Sequence, residues 1–285
     1  MNATARIHHF HGGLRLRHNK KVSCEVPLAR PPLPSHLYLP LQQHAGSTGA
    51  HVLVEPGERV LKGQRVAAFE HEYSGYIHAP TSGTVVSIEK RPIAHPSGED
   101  GDCIIIETDG KEEWIEHSNI ADWEAASPLE LQEQLRAMGI VGLGGAVFPT
   151  AMKVRGAHQD KAHTLILNGA ECEPYISCDE MLMREMPEKV ITGARILRRA
   201  AGADRAIIAI EDQMGAVEKI LRSALRESGA ENIEIIPVTK IYPEGGERQL
   251  VQVLTGQEVP SGGYPSDLGL LCQNVATAAV AALNV

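Results

Sequence analysis

From residue 164 onward, short apolar runs alternate with amphipathic stretches, and few architectures accommodate that rhythm. Thr164-Leu165-Ile166-Leu167 reads as a buried strand, and Pro187 to Ala201 as a helix with Val190, Ile191, Ala194 and Leu197 on its apolar side. Arg205 to Ile210 is a strand, Gly215 to Ser228 a helix, and Ile233 to Val238 a strand again. Strands that alternate with helices close as a parallel sheet covered by helices, and such sheets place ligands beyond the carboxyl ends of their strands. Upstream, Ser127-Pro128-Leu129-Glu130 offers an N-cap serine, a proline at the first helical position and a glutamate where a capping box needs one. Leu129, Leu131, Leu135 and Met138 then give a rough helical stripe that ends at Gly139. The expected fold class is α/β and multi-domain, with a Rossmann-like α/β domain over 121–285.

The first 120 residues follow another rhythm. Pro27, Pro31, Pro32, Pro34 and Pro40 argue against regular ladders, so residues 1–45 are expected to be an extended segment lying over a neighbouring domain. Residues 46–120 read as short strands between Gly and Pro turns. His51 to Val54 and Arg59 to Leu61 flank the turn Glu55-Pro56-Gly57-Glu58, and Gln64 to Phe69 follows the turn Lys62-Gly63. Ile77 to Pro80 and Gly83 to Ile88 are expected to pair across Thr81-Ser82, and Cys103 to Thr108 completes the set. The stretches V-E-P-G-E-R-V-L-K-G-Q and I-H-A-P-T-S-G-T-V-V-S-I resemble the barrel-sandwich hybrid of biotinyl and lipoyl carriers. Carriers of that kind bear their cofactor on a hairpin lysine. The corresponding stretch here, Glu70 to Tyr76, contains no lysine, so a scaffold or docking role is expected rather than a swinging arm.

Composition excludes several functions. A net charge of −9 argues against nucleic acid as a partner, and the basic cluster Arg15 to Lys21 reads as a solvated entry segment. No run approaches the roughly 18 to 20 apolar residues needed to span a bilayer, so no direct membrane insertion is expected. Met1 to Gly13 is polar and lacks the apolar core of a signal peptide. The five cysteines form no CxxC pair, which indicates neither a disulfide framework nor a zinc site. His8, His9 and His11 read as part of a polar terminus, and no metal site is expected.

Four segments carry chemistry. Gly142, Gly144 and Gly145 let backbone N–H groups approach a phosphate or a flat ring, and Phe148-Pro149-Thr150 stiffens the turn. Their spacing is neither the dinucleotide fingerprint nor a P-loop, so a tight turn without a ligand explains them about as well. Lys153 can offer a cation to a phosphate. Asn168 to Tyr175 leaves the end of a strand: Asn168 can hydrogen-bond a flavin edge, and Glu171 and Glu173 can accept from ribose or carboxamide, or stand as exposed loop carboxylates. Ile241 to Arg248 again links a strand to a helix and puts Gly245 and Gly246 at a helix N-terminus suited to anions. In Cys272 to Thr277, Asn274 caps or precedes the last helix.

Together with Phe10 to Gly13 and Val259 to Pro265, these segments resemble the RnfC family of the Rnf ion-translocating electron transport complex, relatives of the NADH-binding flavoprotein of respiratory complex I. The resemblance covers nearly the whole chain. It implies FMN held by Gly142, Gly144, Gly145 and Lys153, with Asn168, Tyr242, Gly245 and Asn274 at flavin-contact positions. Phe148 would stack on a ring, and Glu171, Glu173 and Glu247 would lie near flavin and nicotinamide. Leu143 and Ala170 stand where complex I proteins carry arginine and aspartate. The family normally continues into a domain with two 4Fe-4S clusters held by eight cysteines, so this chain reads as an excised or partial one, or as a short homologue. The implied function is NADH oxidation through FMN, with electrons passed to iron–sulfur clusters and ferredoxin and coupled to ion pumping. The implied partners are other Rnf subunits, and the implied place is peripheral, on the cytoplasmic side of the inner membrane. A non-catalytic docking module and a cobalamin-reducing flavoprotein are the alternatives.

Overall fold

The computed structural model describes residues 7–43, 49–69, 75–95, 97–116, 120 and 122–284. The chain forms two compact units, one from the described parts of 1–29, 122–132 and 153–285, the other from 30–121 and 133–152.

The second of these is β-rich. Its strands are β1 (His36–Pro40), β2 (Ala50–Val52), β3 (Arg59–Val60), β4 (Arg65–Phe69), β5 (Ile77–His78), β6 (Gly83–Pro92) and β7 (Asp100–Thr108). They form a four-stranded sheet in the order β1-β7-β6-β3 and a three-stranded sheet in the order β2-β4-β5. Leu39, Val54, Val60, Val66, Ile77, Val85, Ile104 and Ile106 from both sheets share one core. Burying each large aliphatic chain contributes about 1.5–3 kcal/mol, which strands of two to five residues cannot gather from local pairing alone.

That requirement corrects two expectations. Ile77–His78 does not pair with the strand after Thr81-Ser82; β5 pairs with β4, and β6 pairs with β3 and β7. The proline-rich segment also carries a strand, since β1 pairs with β7 in register from His36↔Glu107 to Pro40↔Cys103. Its place at the sheet edge is where a strand tolerates proline. At Gly83 a Cβ would stand 2.1 Å from the Glu107 carbonyl oxygen, so the β6–β7 ladder closes only around glycine. The expectation about the Glu70–Tyr76 hairpin falls on residues 70–74, outside the described residues.

The other unit opens with a short helix, α1 (Lys20–Ser23). Helix α2 (Pro128–Ala137) starts at the expected capping box: Ser127 N–H donates to Glu130 Oε2 at 2.8 Å, and Glu130 N–H to Ser127 Oγ at 3.3 Å. Ser127→Ala should therefore lower stability by about 1 kcal/mol in urea denaturation. Leu131 and Leu135 are buried as expected, but Leu129 is 62% exposed; Gln132 is buried instead and donates to the Ala200 carbonyl at 2.7 Å. Helix α3 (Thr150–Gln159) follows the glycine loop.

Strands β8 (Thr164–Gly169), β9 (Arg205–Glu211), β10 (Ile233–Val238) and β11 (Leu270–Asn274) form an all-parallel sheet in the order β10-β9-β8-β11. Both faces of such a sheet are covered, which is why β8 and β9 are almost continuously apolar. The covering helices include α4 (Cys178–Glu185), α5 (Pro187–Ala201), α6 (Gly215–Glu227), α7 (Glu247–Thr255) and α8 (Val275–Asn284). Helix α5 has Pro187 in its first turn and ends on Gly202 at φ 67°, whose N–H reaches the Arg198 and Arg199 carbonyls. From β8 the chain steps outward to β9 and β10, then returns to the other side of β8 as β11. The strand order therefore reverses between β8 and β11. Among the described residues no helix is long and apolar enough to cross a membrane.

Candidate functional site

Asn168 and Asn274 are register partners near the carboxyl ends of β8 and β11, on either side of that reversal. In open α/β sheets this is where a crevice forms. Asn168 Nδ2 donates to the Gly245 carbonyl at 2.7 Å, and its Oδ1 accepts from Ala170 N–H at 3.0 Å. One side chain thus ties the loop after β8 to the loop after β10. The two loops touch closely: a Cβ on Gly245 would stand 2.5 Å from the Ala170 carbonyl oxygen and 3.2 Å from Cys172 Sγ. Asn274 Nδ2 donates to Asp179 Oδ2 at 2.6 Å, and its Oδ1 accepts from Ala276 N–H at 2.7 Å, which caps α8.

Glu171 is buried, against the exposed-carboxylate alternative, whereas Glu173 is exposed. The Glu171 oxygens accept from Asp179 N–H at 2.8 Å and Glu180 N–H at 2.9 Å, filling the first-turn donors of α4. Cys178 Sγ, Asp179 and Glu171 place ligand-type atoms within 4.8 Å of one another, but these hydrogen bonds already engage the Glu171 oxygens. The basic cluster was expected to be solvated, and for Lys20 that is wrong. Lys20 is buried, donates to the Glu171 carbonyl at 2.5 Å, and lies 3.8 Å from Glu171 Oε2 and 3.6 Å from Glu211 Oε2. The segment around it is held to the loops, with Tyr175 N–H donating to the His18 carbonyl at 2.7 Å and Leu14 bridging Tyr242.

Two further acids lie at this end of the sheet. Glu211 ends β9 and Glu244 sits in the loop after β10; they are 1% and 2% exposed, and each has one oxygen with no hydrogen-bond partner. Burial, reinforced by Asp212 and Glu211, pushes Glu244 up to about 7. Burial and the neighbouring Glu171 push Asp179 up to about 7 as well. At the rim, Lys153 Nζ meets Glu247 Oε1 at 2.5 Å, and Tyr242 is 38% exposed.

The glycine loop belongs to the β-rich unit. Gly142 N–H donates to the Phe148 carbonyl at 2.8 Å and Thr150 N–H to the Ile140 carbonyl at 3.0 Å, closing a clasp around residues 143–146, which are exposed. Gly145 has φ 100°, a conformation that favours glycine, and Phe148 is 36% exposed at the foot of the clasp.

Residues 135–282 match the Nuo51 FMN-binding domain family, and residues 8–111 match the RnfC barrel sandwich hybrid domain. The RnfC-type component of the ion-translocating oxidoreductase complex of Pseudomonas aeruginosa is 46% identical over 96% of this chain and 35% of its own length. The chain belongs to the RnfC family of ion-translocating oxidoreductase complexes. The Haemophilus influenzae relative is 45% identical over 94% of this chain and 40% of its own length, so the chain spans well under half of these relatives. A solved NAD+-reducing NiFe hydrogenase in its air-oxidized state is 26% identical, with a TM-score of 0.50 over 60% of this chain and 36% of that one.

The β-rich part is thus the barrel-sandwich hybrid of the RnfC family, and the parallel sheet lies within an FMN-binding domain. Of the expected positions, the structure joins Asn168 to Gly245, Lys153 to Glu247, and Asn168 to Asn274 in register. Gly142, Gly144, Gly145 and Phe148 lie in the other unit. Sequence reasoning missed Lys20, Asp179, Glu211 and Glu244. Only Glu211 gave a signal: a charge closing an apolar strand at its carboxyl end.

Proposed function

We propose that this crevice binds FMN, and that the chain is the NADH-oxidising flavoprotein part of a membrane-associated, ion-translocating electron transport complex. The observation that carries the reading is the pair Asn168 and Asn274 at the carboxyl ends of β8 and β11, where the strand order reverses. Each amide uses one N–H and one acceptor position within the protein, which leaves one of each for a ligand. The match over 135–282 runs through both the glycine loop and the sheet, supporting a single domain that uses both.

On this reading the amides of Gly142, Gly144 and Gly145 receive the phosphate with Lys153, whose ammonium Glu247 keeps oriented. Phe148 offers a stacking face, and Tyr242 and Gly245 shape the edge of the ring site. Glu171, engaged by α4 and Lys20, positions the loop that carries exposed Glu173 toward a nucleotide ribose. Bound FMN supplies the exchange between hydride and single-electron transfer; the chain's residues bind and orient it. The likeness to an NAD+-reducing hydrogenase supports a pyridine nucleotide as hydride partner. Electrons would pass to iron–sulfur clusters and ferredoxin through other Rnf subunits, with the chain peripheral on the cytoplasmic face.

Reconstitution with FMN followed by desalting tests the site, and the yellow chromophore should stay with the protein. Asn274→Ala should weaken retention about tenfold, the value of one good hydrogen bond. A colourless eluate would sink the flavin reading. Anaerobic NADH should then bleach the bound flavin faster than NADPH; retained colour with no bleaching by either would leave a docking module.

A further inference from the structure

Glu211 and Glu244 are not used by any contact argued so far. Each is almost fully buried, and each keeps one carboxylate oxygen without a partner. A buried polar atom in that state is costly, and structural carboxylates seldom stay so. Their counter-charges are unequal. Glu211 is faced by Lys20 at 3.6 Å and by Lys240, and it also receives a hydrogen bond from Gln213 at 2.6 Å. The charges that face Glu244 are Glu211, at the end of β9, and Asp212 just after it, both negative. Opposing them are only hydrogen bonds from the backbone of Ile241 and Thr239. Glu171, from the loop after β8, adds further negative charge toward Glu211. Glu244 lies in the loop between Tyr242 and Gly245, the two positions of this loop that the flavin reading uses.

We propose that Glu244, coupled to Glu211, takes up a proton from solvent when negative charge arrives at the flavin position, so that reduction at this site is linked to protonation of the protein. The inference rests on the flavin reading above. The balance is simple. A reduced nicotinamide gives up a hydride, two electrons with one proton, and leaves oxidised. The flavin gains one net negative charge, the Glu244 carboxylate gains one proton and becomes neutral, and the proton returns to solvent as the electrons leave singly to an iron–sulfur acceptor. A carboxyl poised near neutrality responds to such a charge, whereas one in the ordinary glutamate range stays ionised throughout. Glu244 is here a tuning residue that acts through the field of its charge.

Two measurements test this. In flavin-free protein, carbon-13 NMR of labelled glutamate carboxyls should show one carboxyl titrating near neutrality in the parent chain and missing from Glu244→Gln. In FMN-loaded protein, the flavin midpoint potential should fall more steeply with pH in the parent chain than in Glu244→Gln between about pH 6 and pH 8. Glu244→Asp, which keeps an ionisable group, should restore part of the slope. Glutamine matches the neutral acid in shape, so the fold should survive, and far-ultraviolet circular dichroism checks it. Equal slopes in the two proteins, or no carboxyl titrating above the ordinary range, would overturn the proposal and leave the flavin reading standing. Failure of the parent chain to hold FMN would overturn the flavin reading and this linkage together, whatever the NMR titration gives.

Discussion

A chain carrying Lys20→Met is expected to lose about 3–5 kcal/mol of stability, the cost of removing one partner from a buried ion pair. The side chains concerned are hidden from water: Lys20, Glu171 and Glu211 are 7%, 3% and 1% exposed. Methionine keeps the length and apolar stem of the lysine, so packing is nearly preserved. What disappears is the ammonium between the Glu171 and Glu211 carboxylates and its bond to the Glu171 carbonyl. The loss should depend on pH. Burial already raises Glu211, and Lys20 is the foremost influence lowering it again. Without Lys20 the folded-state value rises further, so the stability tied to this group is complete below the ordinary glutamate value and is lost as pH climbs through the raised one. Urea midpoints should therefore separate little near about pH 4.5 and widely near pH 8. Adding Glu211→Gln to Lys20→Met should recover part of the loss at the higher pH. A Lys20→Met chain as stable as the parent at pH 8 would show that Lys20 is not the counter-charge of this cluster.

The same cluster marks the limit of what the sequence made legible. The parallel sheet could be read because strands buried on both faces leave uninterrupted apolar runs, and α5 occupies the range its apolar spacing indicated. Motif residues Asn168, Gly245 and Asn274 could be read because each sits where a strand hands over to a loop or helix. Pairing within the barrel could not: β3 and β5 are two residues long and carry no register information of their own. Helix α4 was overlooked because its N-terminal donors are filled by Glu171 from the preceding loop, while the local Ser177 makes no capping bond. Helix α3 contains Gly156 and has no clean apolar stripe, so its pattern is faint. Lys20 looked like one cation in a solvated run because its partner Glu171 is 151 residues away. Charge pairs of that separation leave no periodicity to detect.

The second large effect is expected at a residue with no part in the chemistry. Gly193 lies inside α5, where glycine costs a helix about 0.5–1 kcal/mol relative to alanine, so Gly193→Ala should stabilise on helix propensity alone. The opposite is expected. A Cβ at Gly193 would stand 1.8 Å from the Ala278 carbonyl oxygen and 2.3 Å from its carbonyl carbon. Both are backbone atoms of α8, so no rotamer change relieves the clash, and the helices must separate. Their facing surfaces have little slack, since Ala194 on α5 and Ala278 and Ala281 on α8 are fully buried. Overpacking that side chains can relax costs about 1–3 kcal/mol; here the net loss should be about 2 kcal/mol or more even after the propensity gain. Because α8 begins at Val275, directly after Asn274, displacing it should also draw Asn274 away from Asp179, which it meets at 2.6 Å. Gly193→Ala should thus lower the urea midpoint and weaken FMN retention together. Gly156→Ala, where nothing lies within 4 Å of the new methyl, should raise the midpoint slightly and leave retention unchanged. A Gly193→Ala chain as stable as Gly156→Ala would mean that α5 and α8 do not approach this closely, and that the small residues lining them serve no packing purpose.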